Sequence, residues 1–135
     1  QNLMKKLEIQ LTESVNGVAF GTDRTVVRHA FGNDYAEFKK SSSSKNTTDD
    51  YGCFQLFYSA ENALEAIEIC SDTLVIVNGK ELTLKCPEII EWIQSVDPTA
   101  EKESDGIISK KMSIGLYAPC NEFETLLFGK KDYYC

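Results

Sequence analysis

Short stretches in which apolar and polar residues alternate occur along most of the chain, and this period of two is typical of half-buried β-strands. The first stretch, 7–11, alternates strictly, so we interpret the N-terminal region as a strand and not as a signal peptide. The predicted strands are 5–11, 54–58, 64–70, 73–77, 81–84, one that begins near 107 and alternates to 118, and 123–128. The tail 133–135 is apolar enough that we expect it to pack against the protein.

Two further stretches have the spacing of amphipathic helices. Thr22 or Asp23 can cap a first helix that ends at Phe31, and Gly32 follows in the position that favours glycine. A second helix is predicted from Pro87 to about Val96. The apolar sets are Val26, Val27, Ala30 and Phe31 in the first helix and Ile89, Ile90, Trp92, Ile93 and Val96 in the second.

Most predicted strands are joined by short connections, and Asn78-Gly79 is a strong signal for a two-residue hairpin turn. The sequence therefore predicts one α+β domain over 1–135, with two helices packed on mostly antiparallel sheets of about seven strands. The polar segment 41–50, rich in serine, is expected to form an exposed, mobile loop because it has no apolar anchor.

The two halves of the chain share a pattern of one helix, a polar or acidic loop and a hairpin, which suggests tandem repeats over 17–70 and 79–129. An offset of 60 residues superposes Leu56 on Leu116, Phe57 on Tyr117 and Ile67 on Leu127. The alternative is that any two amphipathic hairpins align this well.

Composition excludes several classes of function. The chain has 135 residues, with 14 Lys and Arg against 21 Asp and Glu, and its net charge of −7 argues against a dedicated nucleic-acid binder. A single histidine excludes a multi-histidine metal site. Five cysteines without a Cys-x-x-Cys pair favour reduced thiols and a cytoplasmic location.

No catalytic or cofactor motif is present. The chain lacks Gly-x-Ser-x-Gly, Ser-x-x-Lys and both glycine-rich phosphate motifs. His29 is interpreted as structural or solvent-facing. The acidic segment 101–105 lacks the glutamate of an EF-hand loop, because that position holds Met112. We therefore predict no metal, no cofactor and no enzyme, although paired carboxylates for a small hydrolase stay open as an alternative.

Negative charge is concentrated in two segments. Segment 47–68 has five carboxylates and no Lys or Arg, and segment 88–105 has six carboxylates and one lysine. If both lie on one side, they form an acidic surface, flanked by aromatic residues, that would attract a basic protein; solubility alone is the other interpretation. The predicted partner-binding residues are Asp49, Asp50, Tyr58, Glu61, Glu65, Glu68, Glu88, Glu91, Glu101, Glu103 and Asp105.

Two local runs, 17–23 (GVAFGTD) and 27–32 (VRHAFG), precede a tyrosine-containing hairpin. With its size, acidity and patterning, the chain resembles the immunity proteins of bacterial toxin systems, including contact-dependent growth inhibition. The helix-plus-sheet plan is similar to β-lactamase-inhibitor architecture. The resemblance implies a non-enzymatic protein that neutralises one cognate basic, nuclease-like toxin; these families share no motif, so it implies no particular site residue. The alternative from a different class is a binding module of a bacterial envelope or regulatory assembly.

Overall fold

The computed structural model describes residues 5–71, 73–84 and 86–135, and it confirms an α+β fold with two helices and mostly antiparallel sheets. In chain order the elements are β1 Lys5–Gln10, β2 Ser14–Val15, β3 Val18–Ala19, α1 Arg24–Phe31, β4 Ala36–Phe38, β5 Thr48–Asp50, β6 Phe54–Tyr58, β7 Leu64–Ile69, β8 Thr73–Val77, β9 Lys80–Thr83, α2 Ile89–Val96, β10 Glu101–Glu103, β11 Gly106–Ser109, β12 Ile114–Tyr117 and β13 Thr125–Gly129.

The strands form two sheets. The larger sheet has eight strands in the order β10-β11-β12-β13-β7-β6-β5-β4, and every neighbouring pair is antiparallel. The smaller sheet has five strands in the order β3-β2-β1-β8-β9, and its β1 and β8 are parallel. Parallel strands need a long connection between them. Here the connection from β1 to β8 includes α1 and the strands β4 to β7 of the larger sheet.

Both sheets and both helices contribute to one hydrophobic core. Leu56, Ile67 and Phe128 face it from the larger sheet, and Val27 of α1 and Ile93 of α2 pack into the same cluster. Alternate residues of β1 and β8 cover the core from the smaller sheet. The other face of the larger sheet is therefore left without a covering layer of helices, and this is the face on which a site can form.

The sequence predicts both helices close to their observed positions. Asp23 is the N-cap of α1, and its carboxylate accepts a hydrogen bond from the backbone N–H of Thr25 at 3.0 Å. Gly32 ends the helix with a φ of 97°, a conformation that favours glycine. Helix α2 begins at Ile89, two residues later than predicted. No helix in the described part of the chain is long and apolar enough to span a membrane.

The predicted apolar set of α1 is partly wrong. Val26 is 56% exposed and Ala30 is exposed as well, whereas the buried side of the helix includes Arg24, only 7% exposed, beside Val27. Apolar periodicity cannot reveal a charged residue that faces the core, because it assumes that charges face water. The reason for the buried arginine lies in its partner on β5, described below.

The predicted count of about seven strands is wrong, since the described residues form thirteen. The additional strands are short, and β4, β5 and β10 are largely polar, so that they show no apolar alternation. For the same reason the predicted mobile loop 41–50 is wrong in its last three residues. Thr48 and Asp49 are buried in β5, where the ladder to β6 holds their backbone.

Each helix is followed by four strands that pair in chain order, and the two sets of four meet where β7 pairs with β13. Leu56 and Leu116 both face the core, as their predicted equivalence requires. The predicted equivalence of Ile67 with Leu127 is wrong, because Ile67 faces the core whereas Leu127 pairs with Glu68 and so lies on the opposite face. A shift of one residue in a strand moves a side chain to the opposite face.

A buried carboxylate fixes the turn after α2. Asp97 is 1% exposed and accepts hydrogen bonds from the Ser109 hydroxyl at 2.6 Å and from the Thr99 backbone N–H at 2.9 Å. The hydrogen bond from Ser109 and those from Thr99 lower the pKa of Asp97. Because the folded pKa lies below the unfolded one, this contribution to stability is present above about pH 4 and is lost as the pH falls through the folded pKa.

We expect Asp97→Ala to lower the free energy of unfolding at pH 7 by about 1–3 kcal/mol, because the variant leaves the buried Ser109 hydroxyl without its acceptor. Urea denaturation at pH 7 and at about pH 3 measures the effect, which should be smaller at the lower pH. Asp34→Ala, a change at an exposed loop residue, is the matched control and should have little effect at either pH. Equal losses in the two variants would show that the Asp97 hydrogen bonds do not stabilise the turn.

Candidate protein-binding face

One side of the eight-stranded sheet points away from the core, and we call it the outer face. It carries Phe57 of β6, Glu68 of β7, Leu127 of β13 and Gly115 and Tyr117 of β12. The cross-strand register places them together, since Leu127 pairs with Glu68 on one side and with Gly115 on the other. Asp50 of β5 lies on the same face, because it pairs with Gln55, which is two residues before Phe57 on β6. A continuous surface of side chains therefore crosses the sheet.

A larger recess of about 400 Å³ lies at the β5–β6–β7 side of the outer face. Its lining includes Lys40, Phe57, Glu65, Glu68 and Tyr133. The Lys40 ammonium is 3.2 Å from a Glu68 carboxylate oxygen and 4.4 Å from the centre of the Phe57 ring. The face thus already holds one cation between an aromatic ring and a carboxylate.

A smaller recess of about 240 Å³ adjoins it over β11, β12 and β13. Glu68, Glu103, Asp105, Tyr117 and Tyr134 are among its lining residues, which include no lysine or arginine. The two recesses share Glu68, Leu127 and Tyr134 and are therefore continuous. Glu103 and Asp105 form no ion pair with any residue that the structure describes, so their charge is uncompensated.

The C-terminal tyrosines are seated on two glycines of the outer face. A β-carbon on Gly115 would lie 2.0 Å from the Tyr134 hydroxyl oxygen, and one on Gly129 would lie 2.7 Å from the Tyr133 β-carbon. The two rings are in edge contact, with centroids 5.2 Å apart. Burial raises the pKa of Tyr134, which keeps its hydroxyl protonated. The prediction that the tail packs is confirmed, and its packing forms the common wall of both recesses.

On the opposite side of the sheet, α1 and β5 form a buried ionic cluster of Arg24, Arg28 and Asp49. The Asp49 carboxylate accepts from Arg28 Nε at 2.8 Å, from Arg28 Nη2 at 2.8 Å and from Arg24 Nη2 at 2.9 Å. Glu37 of β4 accepts from Arg28 at 3.1 Å and from the Thr47 hydroxyl at 2.7 Å. The cluster therefore ties α1 to both β4 and β5.

Two tyrosine rings complete this cluster. The Arg24 guanidinium carbon lies 4.2 Å from the centre of the Tyr58 ring, and that of Arg28 lies 4.5 Å from the centre of the Tyr35 ring. Burial alone would raise the pKa of Asp49, but the hydrogen bonds from Arg28 and Arg24 outweigh it, so that the pKa lies below its usual range. Burial is also the main cause of the raised pKa of Tyr58. This arrangement stabilises the Asp49 charge inside the protein and hides it from a partner, whereas the Arg28 side chain stays partly exposed.

The predicted partner-binding residues divide between three places. Asp50, Glu65, Glu68, Glu101, Glu103 and Asp105 lie on the outer face or at its margin. Glu61 is exposed in the β6–β7 turn, and Glu88 and Glu91 are exposed at the start of α2; these three line neither recess. Asp49 is fully buried and Tyr58 is 6% exposed, so the prediction that they contact a partner is wrong. Both face the core, where the arginines of α1 compensate the charge.

Sequence reasoning missed Arg24 and Arg28 altogether, and it gave Tyr133 and Tyr134 no place in the site. The spacing of four between the arginines puts them on one side of α1. This spacing could have predicted a shared acidic residue elsewhere in the chain, which the structure identifies as Asp49. The position of the C-terminal tyrosines had no signal beyond their apolar character. It depends on Gly115 of β12, which comes beside the Tyr134 ring only after folding.

Other candidate chemistry of the sequence stays separate from the outer face. All five cysteines are free, and burial raises the pKa of Cys70 to about 11, so this thiol is unreactive at neutral pH. His29 is exposed on α1, as one of its two interpretations predicted. No group of histidine, cysteine or acidic side chains in the described ranges could hold a metal ion. Wherever a carboxyl pKa is displaced, namely at Asp23, Glu37, Asp49, Glu88 and Asp97, it is lowered.

Comparison with known proteins finds no match among family models, curated proteins or solved structures. The function is therefore argued from the outer face itself. Aromatic residues such as the tyrosines of this face are enriched in protein interfaces, and uncompensated carboxylates can attract a basic partner.

Proposed function

We propose that this protein is a non-enzymatic inhibitor of the immunity-protein kind, which binds a basic, nuclease-like toxin through the outer face and occludes its active site. The observation that carries the proposal is the convergence on one sheet face of carboxylates from both acidic segments. Glu65 and Glu68 come from the first segment, and Glu103 and Asp105 come from the second. The two segments are far apart in sequence, yet residues of both line the smaller recess, Glu68 from the first segment and Glu103 and Asp105 from the second.

Electrostatic attraction supports this function. Nuclease active sites and their surroundings are basic because they bind phosphates. A partner of that kind would be steered toward the uncompensated charge of Glu103 and Asp105, and the gain would be mainly in the association rate. Two of the positive charges near the face, Lys40 and Lys130, lie within 3.4 Å of Glu68 and Glu65 respectively and so are already paired, whereas Lys45 lines only the larger recess.

The aromatic residues supply the second part of the support. Tyr117 is 45% exposed, and Tyr134 is half-buried beside it in the same recess. Tyrosine is enriched among residues that dominate binding energy, because its ring has a large area and few rotatable bonds. The ladders to β11 and β13 hold the backbone of Tyr117, and the Tyr134 ring packs on Gly115, so little conformational entropy is lost on binding.

The outer face favours binding over acid catalysis. A hydrolase that uses two carboxylates needs one of them with a raised pKa to act as the general acid. The carboxyl groups with displaced pKa values all have them lowered, and Asp49 is sealed from solvent by its arginines. The small-hydrolase alternative consequently has no residue that the geometry favours.

We also propose that the two halves are a tandem repeat, similar in plan to β-lactamase-inhibitor domains. The support is the repeated order of a helix and four strands, with the two sets joined at β7 and β13. In such an arrangement the joint between the halves lies near the middle of the sheet. This is also where Glu68 and Leu127 connect the two recesses.

Capture of the partner tests the proposed function. The protein is used as bait in lysate from its source cells at low salt, and proteins that bind at one-to-one stoichiometry are identified. We expect a basic domain that is toxic when expressed alone and harmless when co-expressed with this protein. A control bait in which Glu65, Glu68, Glu101 and Glu103 are changed to lysine should capture much less of it and should not rescue growth.

Two outcomes would contradict the proposal. One is the absence of a stoichiometric partner when the neighbouring genes are expressed. The other is a captured partner that is not toxic, or whose toxicity is unchanged on co-expression; this would favour a binding module of a larger assembly instead.

A further inference from the structure

We propose that the smaller recess of the outer face is a receptor for a single arginine side chain of the partner. This inference rests on the proposed function and deepens it, because it names the group that would anchor the complex. Three acidic residues, Glu68, Glu103 and Asp105, and two tyrosines, Tyr117 and Tyr134, line the recess, and the Glu68 carboxylate is already paired with Lys40. The chemistry of this lining selects a planar cation.

The size of the recess favours one side chain over a free metabolite. Its volume of about 240 Å³ is below the roughly 300–1,000 Å³ that is usual for small-molecule sites. The larger recess beside it is already occupied in part by Lys40, which bridges Glu68 and the Phe57 ring. An entering cation therefore finds free carboxylates only in the smaller recess, at Glu103 and Asp105.

Arginine fits this lining better than lysine. A guanidinium can lie flat on a tyrosine ring while its N–H groups donate to carboxylates at its edge, whereas an ammonium is more strongly hydrated and acts as a point charge. The protein itself uses the same combination inside its core. Arg24 lies over Tyr58 and Arg28 lies over Tyr35, and both donate to Asp49. The residues that line the smaller recess are of the same two types, tyrosine and acidic, and include no arginine.

Two glycines, Gly106 and Gly115, determine the shape of the recess. Gly106 has a φ of 157°, and a β-carbon there would lie 1.8 Å from the Leu116 carbonyl oxygen, so only glycine allows β11 and β12 to approach this closely. Gly115 leaves the space that the Tyr134 ring occupies. The position of the ring therefore depends on packing and needs no bound partner.

The test uses the full chain and three small probes. Nα-acetyl-arginine methylamide is titrated into the ¹⁵N-labelled protein, with the citrulline analogue as the neutral isostere and the lysine analogue as the competing cation. The amide signals of Gly106, Gly115 and Thr125 report on the recess. We expect saturable shifts with the arginine probe, weaker binding of the lysine probe, and binding of the citrulline probe that is at least about tenfold weaker.

Variants locate the binding. Glu103→Gln combined with Asp105→Asn should weaken binding of the arginine probe by about tenfold or more, because two charge-assisted hydrogen bonds become neutral. Glu88→Gln combined with Glu91→Gln changes the net charge by the same amount at a place that lines neither recess, and should leave binding unchanged. Tyr117→Leu keeps an apolar wall and should weaken binding about threefold through loss of the ring face. Unchanged amide spectra outside the recess show that each variant is folded.

Several results would overturn the inference. These are shifts of equal size with the citrulline probe, tighter binding of the lysine probe, shifts confined to other parts of the protein, or equal weakening in the two double variants. These results test the arginine receptor alone, whereas the capture experiment tests the proposed function. A captured toxin without arginine-probe binding would leave the proposed function standing and refute the receptor, and the reverse pair of results would refute the proposed function alone.

Discussion

Changing Glu65, Glu68, Glu101 and Glu103 together to lysine should slow association with the captured partner by about 10- to 1,000-fold at low salt. These residues span the outer face from β7 to β10, so their reversal turns an attractive potential into a repulsive one along the whole approach. The effect should shrink as salt is added, because charges separated by more than about 10 Å are screened at 0.1 M. Stopped-flow or biosensor measurement of the association rate at several salt concentrations checks it.

A matched control separates the outer face from net charge. Changing Glu13, Glu61, Glu88 and Glu91 to lysine alters the charge by the same amount, at exposed positions that line neither recess. This control should slow association much less. Both quadruple variants should remain folded, since the ion pairs that are lost, Lys40–Glu68, Lys130–Glu65 and Lys110–Glu101, are partly exposed and contribute about 1 kcal/mol or less each. Equal slowing by the two sets would remove the outer face as the binding surface.

Replacing Asp49 by Asn should lower the free energy of unfolding by about 3–5 kcal/mol at pH 7. The variant keeps the size of the side chain, but it leaves Arg24 and Arg28 without a buried counter-charge beneath β5. Such a loss is a large part of the roughly 5–15 kcal/mol by which domains are stable. Urea denaturation measures the loss, and Asp50→Asn is the matched control, since Asp50 points to the opposite face and accepts only from the Gly52 backbone among the hydrogen bonds described.

The same variant should change how stability depends on pH. The folded pKa of Asp49 lies below the unfolded one, so its contribution is complete above about pH 4 and is lost as the pH falls through the folded pKa. The difference between the natural protein and Asp49→Asn should therefore be largest near neutral pH and should narrow in acid. A difference that stays constant from pH 7 to about pH 3 would show that the cluster does not stabilise through the ionised carboxylate.

The two predictions address different faces of one sheet. Asp49→Asn acts beneath the sheet and should leave the outer face intact wherever the protein is still folded, so the association rate should be unchanged under native conditions. The charge reversals act above the sheet and should change stability little. Measuring the association rate and the free energy of unfolding for each variant therefore distinguishes residues that bind the partner from residues that stabilise the fold.

The sequence by itself determined the two helices, the longer strands and the presence of two acidic segments. Asp23 and Gly32 mark the ends of α1 through backbone rules that act over a few residues. Apolar alternation located β6, β7 and β12, because side chains of a strand must divide between two faces. The two acidic segments, 47–68 and 88–105, can be identified without a structure, because the number of charged residues in a segment follows from its composition alone.

Only the tertiary structure decided which of those charges are available. Asp49 and Asp50 are neighbours in sequence, yet one is sealed beneath the sheet by two arginines and the other lies on the outer face. Short polar strands such as β5 form because their partners supply the hydrogen bonds, which no local pattern encodes. The smaller recess likewise exists only where β11, β12 and β13 meet Tyr134, since long-range register and not local sequence brings those side chains to one place.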